Sequence, residues 1–116
     1  MIRTIPQLTV IDIEQETAGV SSYKNIPLSL FNDHVVRVGI MTEPFYWHYH
    51  PNSDETFMGI EGTLLIDLED RTVELKPGQL FTIPAMVKHC TRPLDERSVN
   101  LTFELAEMET VRCDAS

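Results

Sequence analysis

The sequence predicts an all-β domain, an antiparallel barrel or sandwich with a ligand cavity. Three observations predict it. From Leu28 onward the chain is a series of short runs rich in β-branched and aromatic residues, with turn-forming pairs between them. No stretch after residue 28 shows helical periodicity. Four potential metal-binding side chains also fall in two compact motifs placed on such runs.

Leu28–Phe31 reads as one short strand, stopped by the turn pair Asn32-Asp33. His34–Met41 is rich in valine and isoleucine and reads as the next. Thr42-Glu43-Pro44 breaks it, and Phe45–His50 is aromatic and extended. Pro51–Asp54 is a turn by composition, after which Glu55–Ile60 continues as strand. Glu61-Gly62 suits a tight hairpin into Thr63–Leu68, and Glu69-Asp70 turns the chain into Arg71–Leu75. Lys76-Pro77-Gly78-Gln79 puts Pro and Gly at the two central positions of a type II turn. Leu80–Ile83 follows, ended by Pro84. His89–Arg92 is a short strand, Pro93–Arg97 a polar loop, and Ser98–Leu105 a last strand with apolar residues at alternate positions.

The flanks are less legible. In the arm 1–27, Leu8–Ile13 is compatible with a short strand, and the segment beyond it is broken at Gly19. The arm is expected to pack over the barrel or reach a second subunit. Residues 106–116 read as a mobile tail, and Glu104, Glu107 and Glu109 as a solvated edge.

The chain of 116 residues is one domain by size, with its barrel core at about 28–105. Its 18 acidic and 9 basic side chains, a formal net charge of −9, argue against a nucleic-acid or anionic-membrane partner. Cys90 and Cys113 make no disulfide framework and suit a reducing compartment. With neither a signal-peptide pattern nor an apolar run of about 20 residues, a cytoplasmic location is expected.

Alternation along a strand puts His48 and His50 on one face. The Pro51–Asp54 reversal lets Glu55 open the neighbouring strand on the same side, and His89 comes from elsewhere in the barrel. Three neutral imidazoles and a carboxylate suit a first-row divalent metal, and on an octahedral ion they leave two positions free.

The two motifs resemble those of the cupins, small antiparallel jelly-roll barrels. His48-Tyr49-His50, Glu55 and Gly62 match the first motif, and Gly78, Pro84 and His89 the second, over about residues 34–105. Leu30-Phe31-Asn32-Asp33 is similar to the lead-in of small single-domain bacterial members. The resemblance implies a double-stranded β-helix barrel. It also implies His48, His50, Glu55 and His89 as ligands of one divalent transition metal, zinc, manganese, iron or nickel. A homodimer is a further implication. Three positions depart from the pattern. Gly39 lies three residues too early for the glycine before the first motif, Met86 replaces a glycine, and Pro93 replaces an asparagine.

Tyr46 shares the histidine face, and Phe57 and Gly59 that of Glu55. Tyr46 and Phe57 are therefore expected at the pocket, with Gly59 leaving room for a ligand, and the departure from the family pattern adds Met86 as a further pocket residue. Trp47 and Tyr49 face away as packing residues, His34 is a rim histidine, and Cys90 lacks the setting of a catalytic thiol. Tyr46 and Glu61 are the candidates for proton transfer. The functional expectation is a metalloenzyme acting on a small organic molecule, dioxygenase- or isomerase-like. The alternatives are a non-catalytic, metal-anchored ligand-binding barrel, or a structural dimer in which the metal is incidental.

Overall fold

The computed structural model describes residues 5–114. Their strands are β1 (Lys24–Phe31), β2 (His34–Met41), β3 (His48–Tyr49), β4 (Glu55–Glu61) and β5 (Leu64–Leu68). They continue with β6 (Thr72–Leu75), β7 (Leu80–Ile83), β8 (His89–Pro93), β9 (Ser98–Leu105) and β10 (Val111–Arg112). Two five-stranded antiparallel sheets result, with orders β1-β2-β9-β4-β7 and β10-β3-β8-β5-β6. This is the all-β barrel with jelly-roll, double-stranded β-helix architecture that the sequence predicts.

Between the sheets, Met41, Phe57, Leu64, Ile66, Leu75 and Ile83 form one buried cluster. A second cluster lies on the outer side of the first sheet. Leu28, Val38, Ile40, Val99 and Leu101 are buried there under Ile11, Ile13 and Val20 of the amino-terminal arm. Half-burial of each such arm side chain contributes about 1 kcal/mol. The apolar positions of β9 thus face outward, and its alternate positions Asn100, Thr102 and Glu104 turn inward.

Three expectations about the flanks are corrected. The arm carries a one-turn helix, α1 (Ile13–Thr17), in place of a strand at Leu8–Ile13. Asp12 caps it by accepting a hydrogen bond from Gln15 N–H at 3.2 Å. Arg97 donates to the Thr17 carbonyl at 2.6 Å, holding the last turn to the barrel. Strand β1 begins at Lys24, before Leu28, and accommodates Pro27 beside a bulge. The tail is also part of the structure: β10 pairs with β3, and Cys113 N–H donates to the Trp47 carbonyl at 3.0 Å.

The Lys76–Gln79 turn forms as predicted, with Gly78 at φ +83° and Gln79 N–H donating to the Lys76 carbonyl at 3.0 Å. This turn folds onto Gly59, whose N–H donates to the Gln79 carbonyl at 3.0 Å. A methyl group at Gly59 would overlap the Lys76 carbonyl oxygen. Gly59 therefore makes room for backbone, not for a ligand. Gly59→Ala is expected to destabilise the protein by about 3 kcal/mol or to prevent folding. A melting temperature within 2 °C or so of wild type would remove the steric argument.

On the outer side of the second sheet, Arg92 forks onto Asp67, with Nε at 2.8 Å and Nη2 at 3.1 Å from its two oxygens. The Arg92 hydrogen bonds hold the Asp67 carboxyl down at about 2, with Thr72 assisting against partial burial. A folded-state value below the unfolded one stabilises above about pH 4. That stability is lost as pH falls through 2. Solvent screening at the half-exposed Arg92 leaves about 1 kcal/mol. Asp67→Asn is expected to be less stable by that amount at pH 6 and equal to wild type near pH 2. Urea titrations at the two pH values would check this, and parallel curves with a constant offset would refute it.

Candidate metal centre

The site is assembled from both sheets. His48 on β3 lies directly across from His89 on β8. Glu55 opens β4 in the opposite sheet, and His50 sits at the corner between them. Ring centroids are 4.3 Å apart for His48 and His89, 4.9 Å for His48 and His50, and 5.3 Å for His50 and His89. One ligand atom from each of the four residues lies within 4.8 Å of the other three, and all four side chains are buried.

The turn that returns the chain to Glu55 is fastened on both sides. Asp54 accepts from Ala85 N–H at 2.8 Å, Ser53 Oγ accepts from Leu105 N–H at 3.1 Å, and the His50 carbonyl accepts from Met86 N–H at 2.9 Å. These bonds explain why alternation fails between His50 and Glu55 without displacing either from the site.

Each histidine contacts a backbone carbonyl through Nδ1: His48 that of Tyr46 at 2.8 Å, His50 that of Glu109 at 2.9 Å, and His89 that of Val87 at 2.9 Å. A carbonyl only accepts, so Nδ1 carries the proton and Nε2 presents a lone pair. His50 Nε2 and His89 Nε2 lie 3.2 and 3.3 Å from Glu55 Oε1. None of these three buried atoms has a hydrogen-bond partner. Acceptor lone pairs facing one another in a dry interior repel unless a cation sits between them. The donor set therefore fits a divalent metal, and the carbonyl partners are the outer interactions that orient such ligands.

The same surroundings set the charge states, in opposite directions for two of the rings. Burial, with His89 close by, pulls the His48 imidazole down to about 4, leaving it neutral near pH 7. Burial also acts to lower His50, but Glu55 outweighs it and raises the ring above its ordinary value. Glu55 is pushed up by burial and held well below the usual carboxylate range by His50, His89 and Glu104.

A cavity of about 280 Å³ opens beside this cluster. Tyr46 and Phe57 are among the residues that line it. Met86 does not: it is exposed at 60%, on a surface turn with φ +74°. The left-handed backbone that a glycine would take at this position is kept, with a methionine in it. Glu61 also lies outside the cavity, paired with Arg97 at 3.1 Å. Trp47 and Tyr49 are half-buried and absent from the lining, and His34 pairs with Asp33 at the surface. Burial and the Asp67 charge raise the Cys90 thiol to about 12, making it a poor nucleophile.

Glu104 corrects the reading of a solvated edge. It is 4% exposed in the cavity wall, with Oε2 3.3 Å from Arg37 Nε. Burial and then the Glu55 charge push its carboxyl up to about 7, against the pull of Thr102 and Arg37. Arg37, Asn100 and Thr102 complete a polar floor that the sequence reading missed. The signal was present, as polar residues 100, 102 and 104 share one face of a strand with valine, leucine and phenylalanine on the other. The tail contributes to the wall. Met108 and Thr110 line the cavity, and the Arg112 guanidinium lies 4.7 Å above the Tyr46 ring.

Comparison with known proteins agrees with this architecture. The profile of the Cupin domain family matches residues 35–103. Uncharacterized protein YdbB of Bacillus subtilis is 43% identical over 90 residues, covering 77% of this chain and 79% of that protein. Polyketide synthase CurC of Streptomyces cyaneus is 33% identical over 61 residues, 53% of this chain and 40% of that protein. The chain thus spans less than half of that relative. Among solved structures, a cupin-2 domain containing protein from Shewanella frigidimarina has a TM-score of 0.76 at 26% identity, covering 83% of this chain and 94% of that one.

Proposed function

The chain belongs to the Cupin domain family, and from that premise we propose that it is a metal-dependent enzyme acting on a small organic molecule held in the barrel, with isomerase- or dioxygenase-like chemistry. His48, His50, Glu55 and His89 would hold one zinc, manganese, iron or nickel ion. Such an ion supplies Lewis-acid polarisation of a substrate oxygen or, as iron, oxygen chemistry.

The observation that carries the catalytic reading is the polar floor. A cavity wall that only binds can be apolar. Here a buried carboxyl, Glu104, lies beside the metal-ligand carboxylate with its Oε1 lacking a protein partner. Glu104 can hold or move a proton at Oε1, and Arg37 orients it in the wall that Met108 and Thr110 share.

The experiment is to incubate metal-replete protein with a panel of small hydroxy and keto acids in D2O, with and without air, and follow them by NMR. Turnover or deuterium uptake that falls roughly 100-fold or more in Glu104→Gln, with metal retained, supports the enzyme. Ligands that bind but neither exchange nor consume oxygen would overturn it and favour the non-catalytic ligand-binding barrel.

A homodimer is part of the same reading. Leu8 and Val10 stand fully exposed on the arm, and Phe31 and Leu80 remain exposed as well. Light scattering is expected to give twice the chain mass at micromolar concentration, and a monomer would refute it. No helix among the described residues is long and apolar enough to cross a membrane. Cys90 and Cys113 are free thiols, which supports placing the protein in the cytoplasm.

A further inference from the structure

We infer that the molecule taken up by this cavity is a small carboxylic acid. Its carboxylate is held by Arg37, while a second oxygen reaches the metal centre. The inference rests on the metal-centre reading and adds the substrate class.

Among the described residues, Arg37 is the one lysine or arginine that lines the cavity. Its guanidinium meets a single protein carboxylate, through Nε at 3.3 Å from Glu104. A guanidinium has five N–H donors, and no other protein acceptor for them is found among the described residues. The side chain is 32% exposed and lines the cavity, so it is not packed away from the space a ligand would take. An arginine fork in this state is a ready partner for a carboxylate.

The surroundings favour the same ligand. In register, Arg37 on β2 lies across from Thr102 on β9, and Gly39 lies between Asn25 on β1 and Asn100 on β9. A methyl group at Gly39 would come within 3.4 Å of Asn100 Oδ1. Its absence keeps the amide open to the cavity beside Arg37, and Asn25 lines the same side.

Charge points the same way. The charged residues in the lining are Arg37, Glu55 and Glu104. Two carboxylates against one guanidinium and a divalent ion leave a positive balance in a poorly solvated space, which an anion neutralises. The chain as a whole carries −9. A general field would therefore repel anions, and attraction has to come from this local cation.

Length can be read from the sheet. Arg37 on β2 and Glu55 on β4 stand two strand positions apart, with β9 between them. That is roughly 10 Å between backbones, shortened by the side chains that reach inward. The cavity of about 280 Å³ lies below the usual range of pockets for drug-sized ligands. A dicarboxylate, hydroxy acid or keto acid of a few carbons fits both constraints.

The test uses malonate, succinate and glutarate beside their uncharged diamides, with calorimetry on protein whose metal content has been measured first. Metal-replete wild type is expected to bind at least one dicarboxylate tenfold or more tighter than its diamide. The Arg37→Gln, Glu104→Gln double variant is expected to keep its metal and lose that preference. The double change avoids stranding a buried, unpaired Glu104, and Arg37→Lys is expected to retain part of the preference. Equal binding of acid and diamide, undiminished preference in the double variant, or no dicarboxylate binding by metal-replete wild type would each overturn the inference. If wild type holds no metal, the metal-centre reading fails first. Arg37-dependent carboxylate binding would then still sustain the assignment to Arg37, and its absence would end it.

Discussion

His89→Ala is expected to lose metal affinity by more than the roughly 10–100-fold that removal of an outer hydrogen-bond partner costs. Wild type purified beside it without chelators is expected to carry nearly one ion per chain. His89 is the most buried of the four residues, at 0% exposure, and links His48 across the strand pair to Glu55. Removing its Nε2 takes away one of the converging lone pairs and opens a gap beside Phe57. Because that gap could unsettle the fold, Glu55→Gln serves as a partner variant of nearly equal volume. It keeps the shape, removes the charge and places an amide donor or oxygen where a carboxylate stood.

Metal removal makes the same point through stability. Free ion at 100 times its dissociation constant stabilises a folded protein by about 2.7 kcal/mol. For a domain of this size, that corresponds to a melting shift of roughly 10–20 °C. Wild type is expected to fall by such an amount on chelation, and His89→Ala to show no response. Full metal occupancy in both variants, or a wild-type melting curve indifferent to chelator, would refute the four-ligand assignment.

The second large effect is expected from deleting residues 106–116. In this protein the tail supplies the Glu109 carbonyl that fixes the His50 ring, and Thr110 Oγ1 lies 3.2 Å from the same nitrogen. It also exchanges two hydrogen bonds with Asn52, in the turn between His50 and Glu55, at 2.8 and 3.1 Å. Arg112 adds a cation–π contact on Tyr46, worth about 0.5–1 kcal/mol. With these lost, and β10 gone from the edge of β3, a loss of about 3–5 kcal/mol is expected. Metal affinity should fall roughly 10–100-fold through the untethered His50. Glu109→Ala is the informative control. It keeps the backbone carbonyl that His50 uses, so metal affinity is expected to stay at the wild-type value. Calorimetry on the three proteins would decide. A truncated protein with wild-type melting and metal affinity would return the tail to a passive role.

Spacing in the sequence was enough to name the four residues that the fold brings together, because each depends on local rules. His48 and His50 share a face by alternation, the Pro51–Asp54 turn carries Glu55 to the same side, and Pro77-Gly78 and Pro84 set the approach to His89. The all-β class and most strand bounds follow from the same kind of rule. The one-turn helix at Ile13–Thr17 escaped because a single capped turn is too short to show a period. Gly59 was misjudged because what approaches it is the turn at Lys76, seventeen residues away in the chain. The tail was misread because its partners, His50 and Asn52, are more than fifty residues distant.

Strand β9 marks the boundary most clearly. Val99, Leu101, Phe103 and Leu105 alternate with Asn100, Thr102 and Glu104, and that period of two is written in the chain. Alternation separates two faces without saying which one turns inward. The arm covers the apolar face from outside, through Ile11, Ile13 and Val20. The polar face is therefore left to line the cavity, and Glu104 becomes a buried carboxyl beside the histidine–glutamate cluster. Sequence alone picked out the four residues that converge, His48, His50, Glu55 and His89, and the strands that carry them. Only the tertiary structure decided which residues surround that quartet, because the sign of a strand's face depends on what packs against it from far along the chain.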